Sequence, residues 1–221
     1  GFRVGWAAAG RFARDVSRRK LMSSLVRHDG VTSGVLQNLT IGSHFQPIYS
    51  LSHSRAVGHE ALLRATETNG APVPPLQLFQ SLADAEAAWC DTLSRVMHLM
   101  NFASQAQPAQ WLFLNVRPEA MMALAQPERI GFLRELLRQL GISPSLLVLE
   151  LLESAVPSSD DFLAAVETLR AEGMLIALDD FGAGHSNFDR VWQIRPDIVK
   201  LDRSLVVALA ENPSRLRTIT Q

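Results

Sequence analysis

Short apolar runs alternate with longer stretches of helical spacing from about residue 42 onward. His44–Tyr49 reads as a strand, closed by the polar run Ser50–Ser54. Ala56–Arg64 is ambiguous, and intrinsic propensity favours a helix there, because Glu60, Ala61, Leu62, Leu63 and Arg64 are all good helix formers. The turn-rich stretch Thr66–Pro75 ends that element. Pro74 and Pro75 then open a long helical pattern with Leu78, Phe79, Leu82, Leu93, Val96 and Met97 on one face. Trp111–Val116 is a compact strand pattern. Phe132, Leu133, Leu136, Leu137 and Leu140 form a helix face that stops at Gly141. Leu146–Leu152 is almost wholly apolar, as a strand covered on both faces should be. Ser158, Ser159 and Asp160 cap a helix carrying Phe162, Leu163, Val166 and Leu169, which ends at Gly173. Leu175–Leu178 and Ile198–Leu201 are further strands. Between them lie a Gly/Ser loop and a short helix near Phe188–Ile194, and Leu205–Ala210 begins a last helix.

About six strands alternating with helices predict an α/β protein with a parallel sheet, either doubly wound or a (β/α) barrel. Polar residues at the strand ends favour the barrel. Asn115 closes Trp-Leu-Phe-Leu. Glu150 closes Leu-Leu-Val-Leu, with Glu153 three residues on. Asp179 and Asp180 close Leu-Ile-Ala-Leu, and Lys200 and Asp202 interrupt the last strand. Four such ends in succession, all C-terminal, place these groups on the rim where barrel enzymes build their sites.

Composition narrows the chemistry. With 47% apolar and 19% charged residues, the 221-residue chain has a substantial core. Its net charge of -1 carries no global field for a nucleic-acid polymer. The charge is uneven: residues 1–40 hold seven basic and two acidic residues, a net of +5, and read as a basic linker or the tail of an upstream region. The single cysteine, Cys90, excludes a disulfide framework and a thiolate zinc site, and suits a reducing cytoplasm. Oxygen donors without thiol or imidazole suit hard cations, Mg²⁺ or Mn²⁺. The adjacent pair Asp179-Asp180 could bridge two such ions, the arrangement that cleaves phosphodiesters in line. Alternatively one carboxylate is a ligand and the other caps the following loop. Gly182-Ala183-Gly184 could cradle a phosphate or serve as a mobile loop, and His185 reads as a loop residue.

Five motifs in chain order then resemble one family. They are Phe45-Gln46-Pro47-Ile48, His59-Glu60-Ala61-Leu62-Leu63-Arg64, Glu150-Leu151-Leu152-Glu153-Ser154, Asp179-Asp180-Phe181-Gly182-Ala183-Gly184 and Lys200-Leu201-Asp202-Arg203-Ser204. Together they resemble the EAL domain, the bacterial cyclic-di-GMP phosphodiesterase. The resemblance implies a TIM-type (β/α) barrel over residues 41–221, and makes Ala56–Arg64 a strand. It implies Glu60, Asn115, Glu150 and Asp179 as ligands of Mg²⁺ or Mn²⁺, with Asp180 serving a second ion. Lys200 is implied as the cation that orders the attacking water or the scissile phosphate. Arg64 is implied as a phosphate clamp, Gln46 and Leu62 as substrate-lining residues, Glu153 as an anchor of the Gly-rich loop, and Asp202 as a neighbour of the metals. Blander roles stand beside these: a rim salt bridge for Arg64 and a helix-cap acceptor for Glu153.

The implied reaction is hydrolysis of cyclic-di-GMP to linear pGpG, with cyclic-di-GMP as partner, an upstream sensor or signalling domain in the full protein, and homodimerisation as a further expectation. Leu152 stands where the family has Thr, Arg117 where Ser is frequent, and His185 where Tyr is common. The family's seventh strand, with a Glu-Gly-Val-Glu motif, and its eighth strand have no counterpart here. Residues 1–221 are therefore expected to make only about six of eight strands and to be inactive alone. A catalytically inactive cyclic-di-GMP receptor or protein-interaction module is the alternative. A barrel lyase or aldolase using Lys200 as base or Schiff-base amine is a more distant one.

Overall fold

The computed structural model describes residues 16–105, 110–181, 193–204 and 207. The chain divides into two compact units, Gly1–Gln46 with Ala61–Pro108 and Leu136–Ile142, and Pro47–Glu60 with Ala109–Glu135 and Ser143–Gln221. Two strands, β3 (Leu39–Ser50) and β4 (Arg55–Glu67), contribute segments to both.

The first unit opens with helix α1 (Val16–Ser23) and the antiparallel strands β1 (Leu25–His28) and β2 (Val31–Leu36). Residues 16–40, read from their charge as a linker or tail, thus carry regular structure. The reason is local: Asp29 and Gly30 both adopt the left-handed conformation, at φ 49° and 83°. That is what a two-residue hairpin turn needs to match strand twist. Strand β2 alternates, with Thr32, Gly34 and Leu36 buried and Val31 and Val35 exposed. Its inner face meets helix α3 (Asp84–Ser104). Gly34 permits that approach, since a Cβ there would lie 2.8 Å from the Ile41 side chain and 3.2 Å from that of Leu93. Asn101 clamps the edge of β2, accepting from Thr32 N at 2.6 Å and donating to Thr32 O at 2.7 Å.

The single long helix expected after Pro74 is two helices, α2 (Pro75–Ser81) and α3. Leu82 and Ala83 are extended between them. The Glu86 carboxylate accepts from Ala83 N at 3.2 Å, and Asp84 and Glu86 place negative charge at the new helix N-terminus. Apolar spacing alone did not register that local start signal. Strand β5 (Pro72–Val73) pairs antiparallel with the end of β4.

The second unit carries the parallel part of the fold. Strands β6 (Trp111–Asn115), β7 (Leu147–Leu152), β8 (Leu175–Phe181) and β9 (Ile198–Leu201) pair side by side in parallel. Helices α4 (Pro118–Leu124), α5 (Pro127–Leu140) and α6 (Asp160–Ala171) connect the first three. The end of α5, from Leu136, belongs to the first unit. Ser159 caps α6 by accepting from Phe162 N, and Gly173 in the left-handed region ends it, as the sequence predicts. Ala56–Arg64 is strand, in β4, and helix propensity loses to sheet pairing. The expected Gly-rich loop, His185, most of the helix near Phe188–Ile194 and nearly all of the helix from Leu205 lie outside the described residues. Among the described residues, no helix is long and apolar enough to cross a membrane.

One layer of this unit's core fixes where the site falls. Phe113, Val148 and Ala177 are fully buried on a common face, with Ile48, Trp111, Leu175 and Ile198 packed against them. Side chains repeat every two residues along a strand. Asn115, Glu150, Asp179 and Lys200 are each two residues beyond Phe113, Val148, Ala177 and Ile198. The polar groups therefore share the face of this core toward the C-terminal strand ends, with Asn115 opposite Glu150 and Asp179 one pleat further on, opposite Leu152.

Candidate metal centre

Glu60, Glu150 and Asp179 come from three strands, β4, β7 and β8, and offer carboxylate oxygens within 4.8 Å of one another. Like charges so close need a counter-charge. Lys200 supplies one, with Nζ 2.8 Å from Glu150 Oε1, 3.0 Å from Glu60 Oε2 and 3.1 Å from Asp179 Oδ1. Asn115 donates from Nδ2 to Glu60 Oε1 at 2.8 Å. A cation ligand must present the amide oxygen, and that arrangement is the flipped rotamer of the same amide.

Burial separates the carboxylates. Glu150 is 1% exposed, and Oε2 has no hydrogen-bond donor among the described residues. Burial pushes its pKa up to about 8, against the opposing pull of Lys200, with the Glu60 and Asp179 charges adding to the rise. Burial also works against the Lys200 ammonium, but Glu150, Asp179 and Glu60 together hold it charged well above its ordinary range. Three carboxylates facing one ammonium leave the cluster net negative, and all its donors are hard oxygens. An orphaned, buried carboxylate oxygen in such a set fits a divalent cation.

The Asp179-Asp180 pair is explained by the backbone. Leu178 pairs with Val199 and Phe181 with Leu201, so both aspartates oppose the single Lys200. Two residues against one is a β-bulge, and Asp180 takes the left-handed conformation at φ 57°. In a regular strand the two side chains would leave opposite faces. Here burial, Asp179 and Asp202 raise the Asp180 pKa, so it shares the electrostatic field of the site while standing outside the close triad. Asp202 is turned to its own loop, accepting from Ser204 N at 2.7 Å and from Ser204 Oγ, and these bonds hold its pKa down.

Glu153 lies in a 3₁₀ turn, Glu153–Ala155, directly after β7, and Leu152 is 48% exposed at the end of that strand. Gln46, Leu62 and Arg64 belong to the first unit. Gln46 is exposed on β3 and Leu62 half-buried on β4. Arg64 is exposed, donates to Leu63 O at 2.9 Å and pairs with no carboxylate among the described residues. The rim salt bridge is therefore not found there.

Gly58 was missed in the sequence. A Cβ at that position would lie 2.4 Å from Trp111 O and 2.8 Å from the Phe113 ring, so only glycine lets β4 approach β6 this closely. That approach brings Glu60 to Asn115. An isolated glycine within a strand pattern was the available signal.

A family model described as the EAL domain matches residues 33–221. The chain is 29% identical over 177 residues to a probable cyclic di-GMP phosphodiesterase, PdeB, of Escherichia coli strain K12, covering 79% of this chain and 34% of that protein. It is 25% identical over 179 residues to the blue light- and temperature-regulated antirepressor BluF of the same strain, covering 80% and 43%. The chain thus spans about a third of one relative and under half of the other. Among solved structures, Klebsiella pneumoniae BlrP1, in a calcium and cyclic-di-GMP complex, matches with a TM-score of 0.64 at 24% identity, over 90% of this chain and 48% of that one. That likeness carries the fold, an α/β barrel of the TIM type, in agreement with the fold class read from the sequence.

Proposed function

Because the chain belongs to the EAL domain family, we propose that its acidic cluster holds Mg²⁺ or Mn²⁺ and that it hydrolyses one phosphodiester bond of cyclic-di-GMP, giving linear pGpG. The observation that carries this reading is the convergence of Glu60, Glu150 and Asp179 around Lys200 at the ends of adjoining strands. Bound there, one or two divalent cations would supply the positive charge for in-line displacement at phosphorus.

The chain's own groups divide the remaining work. Glu60, Glu150, Asp179 and the flipped Asn115 amide hold the cation, and Asp180 serves a second. Lys200 turns its ammonium toward the charge that develops on the phosphoryl oxygens, where a preorganised donor is most effective. Arg64 holds a substrate phosphate with its planar fork. Gln46 and Leu62 contact the nucleotide. Glu153 supports the centre from the turn after β7, and Asp202 shapes the rim beside Asp180.

The test incubates the purified chain with cyclic-di-GMP and Mn²⁺, then measures both retained dinucleotide and pGpG. Cation-dependent pGpG supports the phosphodiesterase. Tight binding without product supports a receptor, and neither binding nor product overturns both readings.

A further inference from the structure

Lys200 reaches its three carboxylates from a short strand whose pairing with β8 is interrupted at the bulge, with Phe181 and Leu201 paired beyond it. β9 has four residues, and ahead of the bulge only two pairs align it with β8, Ala177 with Ile198 and Leu178 with Val199. A slip of one residue turns every side chain of a strand to the other face, which would put Val199 or Leu201 where the ammonium stands. Something before the strand must fix its entry.

That anchor is built around Arg170, in the last turn of α6. Its side chain is 19% exposed, and the guanidinium donates to Ile194 O at 2.8 Å and to Arg195 O. Arg195 is held in the left-handed region at φ 49°, an unfavourable state for a non-glycine residue unless neighbouring contacts enforce it. Arg170 Nε also lies 3.5 Å from Asp197 Oδ2. The same Asp197 oxygen accepts from Ile176 N at 2.9 Å, and Asp197 N donates to Ile176 O at 2.8 Å. Arg170 and Asp197 therefore tie the turn at Ile194–Asp197 to the start of β8, three residues before Lys200. The i,i+3 pair with Glu167 at 2.8 Å orients the guanidinium from its own helix.

We propose that Arg170 is a positioning residue of the centre: it locks the turn before β9, and so places the Lys200 ammonium among Glu60, Glu150 and Asp179. This rests on the reading of that cluster as the reactive centre. Lysine cannot replace it, because one ammonium cannot hold two carbonyls and a carboxylate in a planar fork.

The test uses the 221-residue chain and its Arg170→Ala and Arg170→Lys variants. The primary readout is the Lys200 Nζ resonance in ¹⁵N-lysine NMR, identified by its absence in Lys200→Ala. In the parent, an ammonium held by three carboxylates should give a slowly exchanging signal. In Arg170→Ala that signal should broaden into the exchanging pool while the melting transition stays cooperative. Arg170→Lys should show an intermediate loss and serves if the alanine variant does not fold. Where cyclic-di-GMP is turned over, kcat should fall by about tenfold or more, the scale of an ångström-sized misplacement, with KM changed less than about twofold. Arg170→Ala should then add nothing to Lys200→Ala. An unchanged Lys200 signal in a folded Arg170 variant, or additive losses in the double variant, would overturn the proposal. Absence of both cyclic-di-GMP binding and turnover in the parent counts against the proposed function, while the NMR comparison still decides the role of Arg170.

Discussion

Lys200 Nζ lies 2.8 Å from Glu150 Oε1, and the Glu150 side chain is wholly excluded from solvent. An ammonium thus lies against a buried acid whose pKa burial raises in spite of it. The pair couples the charge of the cluster to its occupancy: whatever cation enters must share Glu150 with Lys200.

The first expected outcome follows from the sign of the Glu150 shift. Its folded-state pKa, about 8, lies above the ordinary 4.5. Between those values the folded chain binds more protons than the unfolded one. Stability is therefore full below pH 4.5 and declines as pH rises through 8, by up to ~1.4 kcal/mol per pH unit from this group. Urea melts in EDTA from pH 5 to 8.5 should show the decline. Glu150→Gln should flatten it, and Mn²⁺ should reverse it in the parent alone.

On the acid side His98 contributes. It is 4% exposed on α3, with Nδ1 2.7 Å from Ser43 Oγ. Burial, with a smaller contribution from Arg95, lowers its pKa from 6.5 to about 3. Here the folded state stays neutral while the unfolded state takes up a proton, so stability is lost as pH falls from 6.5 toward 3. His98→Gln should lower stability at pH 7 yet remove part of the slope below pH 6.5, read by the same melts.

Gly58→Ala should cost about 1–3 kcal/mol, because the new methyl has no room against Trp111 O. Since β4 must move away from β6, the Glu60–Asn115 bond should also open. Calorimetry reads the first effect, and weaker Mn²⁺ binding by the folded variant reads the second.

Binding and chemistry should separate by residue. Arg64→Ala should raise KM for cyclic-di-GMP more than it lowers kcat, as the loss of a clamp used in ground and transition states does. Lys200→Ala should do the reverse, with kcat down about 10²–10³-fold, the scale of losing a preorganised donor. Asp180→Asn should leave one cation bound and strongly reduce turnover. Equal effects of Arg64→Ala and Lys200→Ala on both constants would merge their roles.

Much of this centre was legible in the sequence, because an acid that interrupts an apolar strand needs a chemical partner even where it is buried. Glu150 after Leu-Leu-Val-Leu and Asp179 after Leu-Ile-Ala-Leu announced the charge, although the two strands run on to Leu152 and Phe181. What was not legible depends on contacts distant in sequence. Propensity misread Ala56–Arg64, since its helix formers are overruled by a place in the sheet between β3 and the distant β6. The bulge that sets both Asp179 and Asp180 against Lys200 has no local signature. The hairpin at Asp29-Gly30 does have one, an Asp-Gly pair, set within a strongly basic segment.

The most direct measurement of the central claim is a Mn²⁺ titration of the chain followed by electron paramagnetic resonance, for the parent and for Glu150→Gln. The account predicts saturable loss of the free-ion signal in the parent and at least ~10-fold weaker binding in the variant, whose fold is retained. Equal titrations for the two proteins, or no bound Mn²⁺ in the parent at millimolar concentration, would contradict it.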